Sequence, residues 1–131
     1  MNRTAVNPSS WSVQLGFDQA ELVEGHRREL ICSAQDAVDD NGNSQHPDDM
    51  AAQVRMSLEQ LEELLGEADM TLADVVRLNF YTTDMDALLQ HFTIVNECFA
   101  STGVRFATTL LGVTKLAATD LLVAIEATAM D

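Results

Sequence analysis

Two charged side chains near the end of the chain stand where charge is costly. Arg105 is at the entrance to an apolar segment, Ala107–Val113, and Glu126 lies inside a second one, Leu121–Ala129. A guanidinium offers a planar fork of donors that matches two carboxylate oxygens, so an arginine at such a place suits the anchoring of a small carboxylate. A carboxylate inside so apolar a strand either pairs across an interface or positions a water. Ser33 adds a hydroxyl. It has no GxSxG elbow and no evident His–acid partners, so it is not a nucleophile of the hydrolase type. His26, His46 and His91 lack ligand spacing such as HExxH, and the carboxylates are scattered. Gly42 and Gly66 stand alone and form no phosphate loop. No metal is expected.

Composition narrows the class of partner. The chain has 131 residues, 47% of them hydrophobic, which suits one domain over residues 1–131 with a core that needs no staple. Seven basic residues stand against 21 acidic ones, a formal net charge of −14. Such a field repels a polyanion, and Arg27-Arg28 is the only basic pair, so neither nucleic acid nor a membrane surface is an expected partner. Cys32 and Cys98 lie far apart among apolar neighbours and form no CxxC, which reads as two reduced thiols in a cytoplasmic protein. The segment MNRTAVNPSSW lacks the apolar core of a signal peptide.

The elements that must position these residues follow from periodicity. Residues 1–12 read as a polar, irregular loop. Val13–Phe17 reads as a short strand, turned at Asp18-Gln19 into Ala20–Val23, and Arg28–Gln35 as a clearer strand. Asp39–Pro47 is a loop. A helix then starts at Pro47, with Met50, Val54, Leu58, Leu61 and Leu65 on its buried stripe, Gln53, Glu59, Glu62 and Glu63 on its polar side, and Gly66 as its stop. Asp74–Thr83 is a strand with Val76, Leu78 and Phe80 on one face and Arg77, Asn79 and Tyr81 on the other. Asp84 or Asp86 caps a second helix whose stripe is Leu88, Phe92, Val95 and Phe99. Ala107–Val113 and Leu121–Ala129 close the chain as two strands joined by a short connection, both apolar enough for the middle of the fold. Right-handed crossovers put both helices on one face of a mixed sheet, an α+β two-layer sandwich. The opposite face, with Arg77, Asn79, Tyr81 and apolar residues of the last strands, is too apolar for open water and predicts a subunit interface.

This order of elements, together with several short motifs, resembles the Rid family, also called the YjgF or reactive-intermediate deaminase family. Ile31-Cys32-Ser33-Ala34-Gln35 is similar to its "(I/V)xSGQ" strand end, and Ala52–Leu58 to its "QxxxxLxN" helix. Met70–Met85 is similar to "LxDVVKxxVFLxDM", and Leu116–Ala129 to "LPxxxxVEIExxA". The resemblance implies a chorismate-mutase-like fold and a homotrimer with helices outside and a small pocket at each subunit interface. It also implies cofactor-free hydrolysis of reactive enamines and imines, such as 2-aminoacrylate, to a 2-oxo acid and ammonia.

Carried over residue by residue, the resemblance leaves the anchor with two candidates. Gly103-Val104-Arg105 reads like the family's "PAR" segment and makes Arg105 the catalytic anchor. Matching Lys115-Leu116 to the family's "(R/K)LP" puts Thr108 in the arginine slot. Ser33 is the family's pocket serine, and Ala34 replaces the glycine whose N–H faces the ligand. The family's tyrosine ahead of the first short strand falls near Ser12, with Trp11 beside it as a pocket wall or an interface plug. Its asparagine on the second helix falls at Phe92, or at His91 if the match slips by one residue. Of its two glutamates only the second, Glu126, remains, the first being Ala124. Three functions are compatible with this pattern. They are an enamine/imine deaminase, a trimer that has lost the anchoring arginine and binds or transforms another small metabolite, and a regulatory trimer that meets protein partners.

Overall fold

A computed structural model describes residues 1–131. The chain opens with strand β1 (Asn2–Val6), a single helical turn α1 (Trp11–Gln14) and strand β2 (Ala20–Glu24). β1 and β2 form an antiparallel hairpin, pairing Asn2 with Glu24 and Val6 with Ala20. β3 (Glu29–Asp36) then leads into the long helix α2 (Met50–Glu67), and a 3₁₀ turn over Leu72–Asp74 introduces β4 (Val75–Thr82). Two short helices, α3 (Met85–Gln90) and α4 (Thr93–Ala100), precede β5 (Ala107–Gly112) and β6 (Val123–Met130). The main sheet has the order β3-β6-β4-β5, with β5 parallel to β4 and the other neighbours antiparallel. α2 lies across β3 and β6 with α3 and α4 beside it, so all helices longer than one turn cover one face of an α+β two-layer sandwich.

The core sits between the layers. Val54, Leu58, Leu61 and Leu65 of α2 pack with Leu78 and Phe80 of β4 and with Ile125 and Ala127 of β6. The stripe expected for α2 is therefore the buried one. Its cap is Asp49, which accepts from the Ala52 N–H at 3.0 Å, so the helix starts at Met50 and not at Pro47. Gln53 is not on the polar side. It is fully buried and donates to the carbonyls of His46 (3.0 Å) and Asp120 (2.9 Å), while its own carbonyl accepts from the Leu122 N–H (2.8 Å). One amide thereby satisfies three loop backbone groups that burial would otherwise orphan. Asp84 caps α3, accepting from the Ala87 N–H at 3.1 Å. The second expected helix breaks at His91–Phe92 into α3 and α4, with Leu88, Val95 and Phe99 buried on one stripe.

Three expectations fail for identifiable reasons. The segment Val13–Phe17 is no strand. The Ser12 carbonyl accepts from both the Leu15 and Phe17 N–H groups, which closes a helical turn, and Gly16 leaves it at φ +93. The partner of β2 is instead the stretch Asn2–Val6, expected as a loop. It is polar because its inward residue, Arg3, meets Glu21 and backbone carbonyls in place of apolar side chains. The two closing strands are also not hairpin neighbours in the middle of the fold. β6 is central, but β4 lies between it and β5, and β5 is an edge. Leu110 packs against the core while Leu111 stays half exposed, so the apolar residues of β5 serve two faces of an edge strand. A bulge between Val75 and Arg77 puts Val75, in place of Val76, into the core cluster.

Candidate functional site

The face of the sheet opposite the helices is open. Register aligns Arg77 with Thr128, Asn79 with Glu126 and Tyr81 with Ala124, so these side chains share that face. The Tyr81 hydroxyl donates to Glu126 Oε1 at 2.6 Å and the Asn79 amide donates to the same oxygen at 3.1 Å. Arg77 Nε in turn donates to Asn79 Oδ1 at 3.2 Å. The Tyr81 bond, followed by the Asn79 bond, holds the Glu126 carboxyl below its ordinary range, and the same bond pushes the Tyr81 phenol up. Glu126 is thus an ionised, half-buried carboxylate with two committed donors. Ile31, on the same face from β3, is 75% exposed.

Ser33 and Ala34 sit at one edge of this sheet. The pairing of β3 with β6 slips between Cys32 and Gln35, which places Ser33 and Ala34 in a bulge. Both are exposed, and the Ser33 carbonyl accepts from the Gln35 amide at 3.1 Å. A bulge re-aims side chains and leaves one residue outside the ladder, free to serve a ligand.

Arg105 and Thr108 sit at the other edge. The Thr108 hydroxyl is given to the Leu78 carbonyl. Arg105 precedes β5, and its Nε donates to Asp18 Oδ1 at 2.8 Å; the Asp18 side chain is only 3% exposed. Asn7 donates to the same Asp18 oxygen at 2.8 Å, and Arg3 donates to the carbonyls of Ala73, Val75 and Arg105. Burial pushes the Asp18 carboxyl up, but hydrogen bonds with Glu21, Asn7 and Arg105 outweigh it and leave the group below its ordinary range. Burial, joined by the contact with Asp18, pushes Glu21 up to about 7 against the pull of Arg3. Arg105 therefore belongs to a charged cluster that fastens the hairpin to the start of β5.

The aromatic candidates lie elsewhere. Trp11 is exposed on α1 and stands edge-on to Phe17, with ring centroids 5.5 Å apart. Phe17 is the aromatic that directly precedes β2. Ser12 is buried, with its hydroxyl 3.4 Å from Asn7 Oδ1. Phe92 packs on Phe80 in the helix layer, centroids 5.2 Å apart. Neither Ser12 nor Phe92 shares the open face. Of the thiols, burial with Glu62 alongside pushes Cys98 up to about 11, too high for a nucleophile at neutral pH. No group of three or more His, Cys, Asp or Glu side chains is arranged to hold a metal.

The expected site is thus split. Glu126 is on the open face, Ser33 and Ala34 on the β3 edge, and Arg105 and Thr108 on the β5 edge. Three strand spacings separate the edges, roughly 14 Å. Sequence reasoning missed the Asp18–Arg105 pair, because Asp18 looked like a turn residue.

A family model described as Endoribonuclease L-PSP, which covers the YjgF/Rid proteins, matches residues 17–131. The chain belongs to the Rid family. The Rid-family protein YyfB of Yersinia pestis, a protein of unknown function, is 34% identical, with 99% of both chains covered and a TM-score of 0.86. Rv2704 of Mycobacterium tuberculosis, a YjgF/YER057c/UK114 member, is 31% identical over 99% of this chain and 100% of that one, at a TM-score of 0.68. Protein mmf2, mitochondrial, of Schizosaccharomyces pombe is 32% identical over 76% of this chain and 71% of its own length. No helix of this Rid chain is long and apolar enough to cross a membrane.

Proposed function

We propose that the chain assembles as a ring of three copies and hydrolyses reactive enamines and imines of the 2-aminoacrylate type in pockets between them. The observation that carries this reading is the split site. The Ser33–Ala34 bulge and Thr108 lie on opposite edges of one sheet whose face leaves Ile31 exposed. A ring that sets the β3 edge of one copy beside the β5 edge of the next joins the two halves and covers that face. The enamine tautomerises to its imine, water adds to the imine carbon, and the C–N bond breaks to give a 2-oxo acid and ammonia. Oxidation states balance without a redox partner. Ser33 and the Ala34 N–H hold the carboxylate or the attacking water from one side, and Glu126 orders the pocket floor through Tyr81 and Asn79. The net charge of −14 opposes an RNA substrate, and the two free thiols suit a reducing compartment such as the cytoplasm.

A second reading is favoured by the Arg105–Asp18 bond. With Arg105 engaged and Thr108 in the arginine slot, the trimer binds or transforms a different small metabolite. Generating 2-aminoacrylate in situ and following its loss separates the two. Acceleration by wild type supports the deaminase, and no acceleration sinks it for that substrate class. Acceleration that survives in Arg105→Ala keeps the enzyme and removes Arg105 as its anchor.

A further inference from the structure

The lower end of the open face forms a trough of about 650 Å³, and Arg77, Thr109 and Thr128 lie across its floor. β2 forms one wall, and His26 and Glu29 stand at the far side. Register fixes the arrangement. Arg77 is opposite Thr128 on β6 and Ala107 on β5, and Thr109 is two residues from Ala107, hence on the same face. A guanidinium thus lies between two hydroxyl-bearing strands.

Arg77 makes no direct ion pair. Its one side-chain hydrogen bond is from Nε to Asn79, none of the four ion pairs of the chain includes it, and its charge reaches Glu126 only through space, as the last of the causes that lower that carboxyl. The carboxylates nearby are otherwise engaged. Glu126 is bound by Tyr81 and Asn79, Glu21 by Arg3, and Glu29 faces His26 at 3.9 Å. The Asn79 bond steadies the Nε side of the guanidinium, and the outer nitrogens have no hydrogen-bond partner in the chain. Thr109 and Thr128 hold hydroxyls that no other group of the chain claims, whereas that of Thr108 is given to Leu78.

We infer that Arg77 is the anion anchor of this Rid chain, holding the carboxylate of a small 2-oxo or 2-imino acid in the trough with Thr109 and Thr128. The anchoring guanidinium comes from β4, one strand inward from Arg105, which Asp18 has engaged. A paired fork of donors selects a carboxylate over an amide of the same size. The flanking hydroxyls suit the 2-oxo or 2-imino group. This inference rests on the proposed use of the same face as a ligand pocket.

The test is a binding titration, which needs no turnover. Pyruvate is added to the assembled ¹⁵N-labelled protein and amide shifts of residues 76–79, 107–109 and 126–128 are followed, with propionamide as the uncharged probe. Saturable shifts centred there are expected, weakened at least tenfold in Arg77→Met and largely restored in Arg77→Lys. Arg55→Met, which removes an exposed cation from α2 on the helix layer, is expected to leave the titration unchanged. Absence of saturable pyruvate binding, binding insensitive to Arg77→Met, or equal binding of propionamide would overturn the inference. Pyruvate binding that depends on Arg77 without any 2-aminoacrylate turnover would sink the deaminase and leave the anchor standing. Turnover that is indifferent to Arg77→Met would do the reverse.

Discussion

Arg105 Nε lies 2.8 Å from the buried Asp18 Oδ1, and this bond ties the loop before β5 to the root of the β1–β2 hairpin. Arg105 is 42% exposed, so solvent screens the pair and its worth is modest. Arg105→Ala is expected to cost about 1 kcal/mol in urea unfolding. Asp18→Ala is expected to cost more, because it also orphans the Asn7 amide bonded to it at 2.8 Å. Equal stability of wild type and Asp18→Ala would show that the cluster contributes nothing.

The same cluster sets a pH dependence. Glu21 Oε1 is buried with no donor of its own, and the group titrates near 7 in the folded chain against an ordinary value of 4.5. Between those values the unfolded chain releases the proton that the folded chain keeps. Stability therefore falls as pH rises from about 4.5 to about 7, by at most about 3 kcal/mol. Asp18 is lowered and acts oppositely: its contribution is present above its ordinary 3.8 and is lost as pH falls through its folded value. Thermal melts should show a lower Tm at pH 7.5 than at pH 5, and Glu21→Gln should flatten that difference. A wild-type Tm unchanged between the two would contradict a raised Glu21 carboxyl.

Gly16 and Asn96 meet closely. A Cβ at Gly16 would stand 2.5 Å from Asn96 Oδ1, and φ at Gly16 is +93. Gly16→Ala is expected to cost about 1–3 kcal/mol, from the backbone and from the clash. Adding Asn96→Ala should recover only the clash, so the double-mutant cycle should be non-additive. Strict additivity in chemical denaturation would rule out the contact.

Ile31 is the most exposed large apolar side chain of the chain and lies on the face assigned to the trimer. Ile31→Glu should convert a trimer to monomers in light scattering coupled to size exclusion, with far-UV circular dichroism unchanged. A wild-type monomer at micromolar concentration would remove the composite pocket.

Legibility in the sequence followed the kind of burial. α2, β4 and β6 were readable because apolar spacing of 3.6 or 2 repeats over several turns or pairs. The face shared by Arg77, Asn79 and Tyr81 was readable from alternation alone, but its junction with Glu126 needed the β4–β6 register, which no local pattern encodes. The N-terminal hairpin was unreadable because Arg3 and Glu21 close it by charge and hydrogen bonds, where apolar alternation is the usual signal. Gln53 misled for a related reason: a polar residue beside an apolar stripe reads as surface until the loops it serves are placed.

The slip between Cys32 and Gln35 has a consequence for the crowded chain. An intact outer strand presents a continuous row of N–H and C=O groups, the template on which fibrils grow. β3 offers such a row only from Glu29 to Cys32 before the bulge twists it away. At the opposite edge, the pairing of Asp18 with Ala107 covers the first rung of β5 with the hairpin's root. The β3 border therefore cannot extend a ladder along its whole length. The interruption that presents Ser33 and Ala34 also guards the protein against amyloid-like growth, and straightening it by deleting one residue should raise thioflavin-positive aggregation.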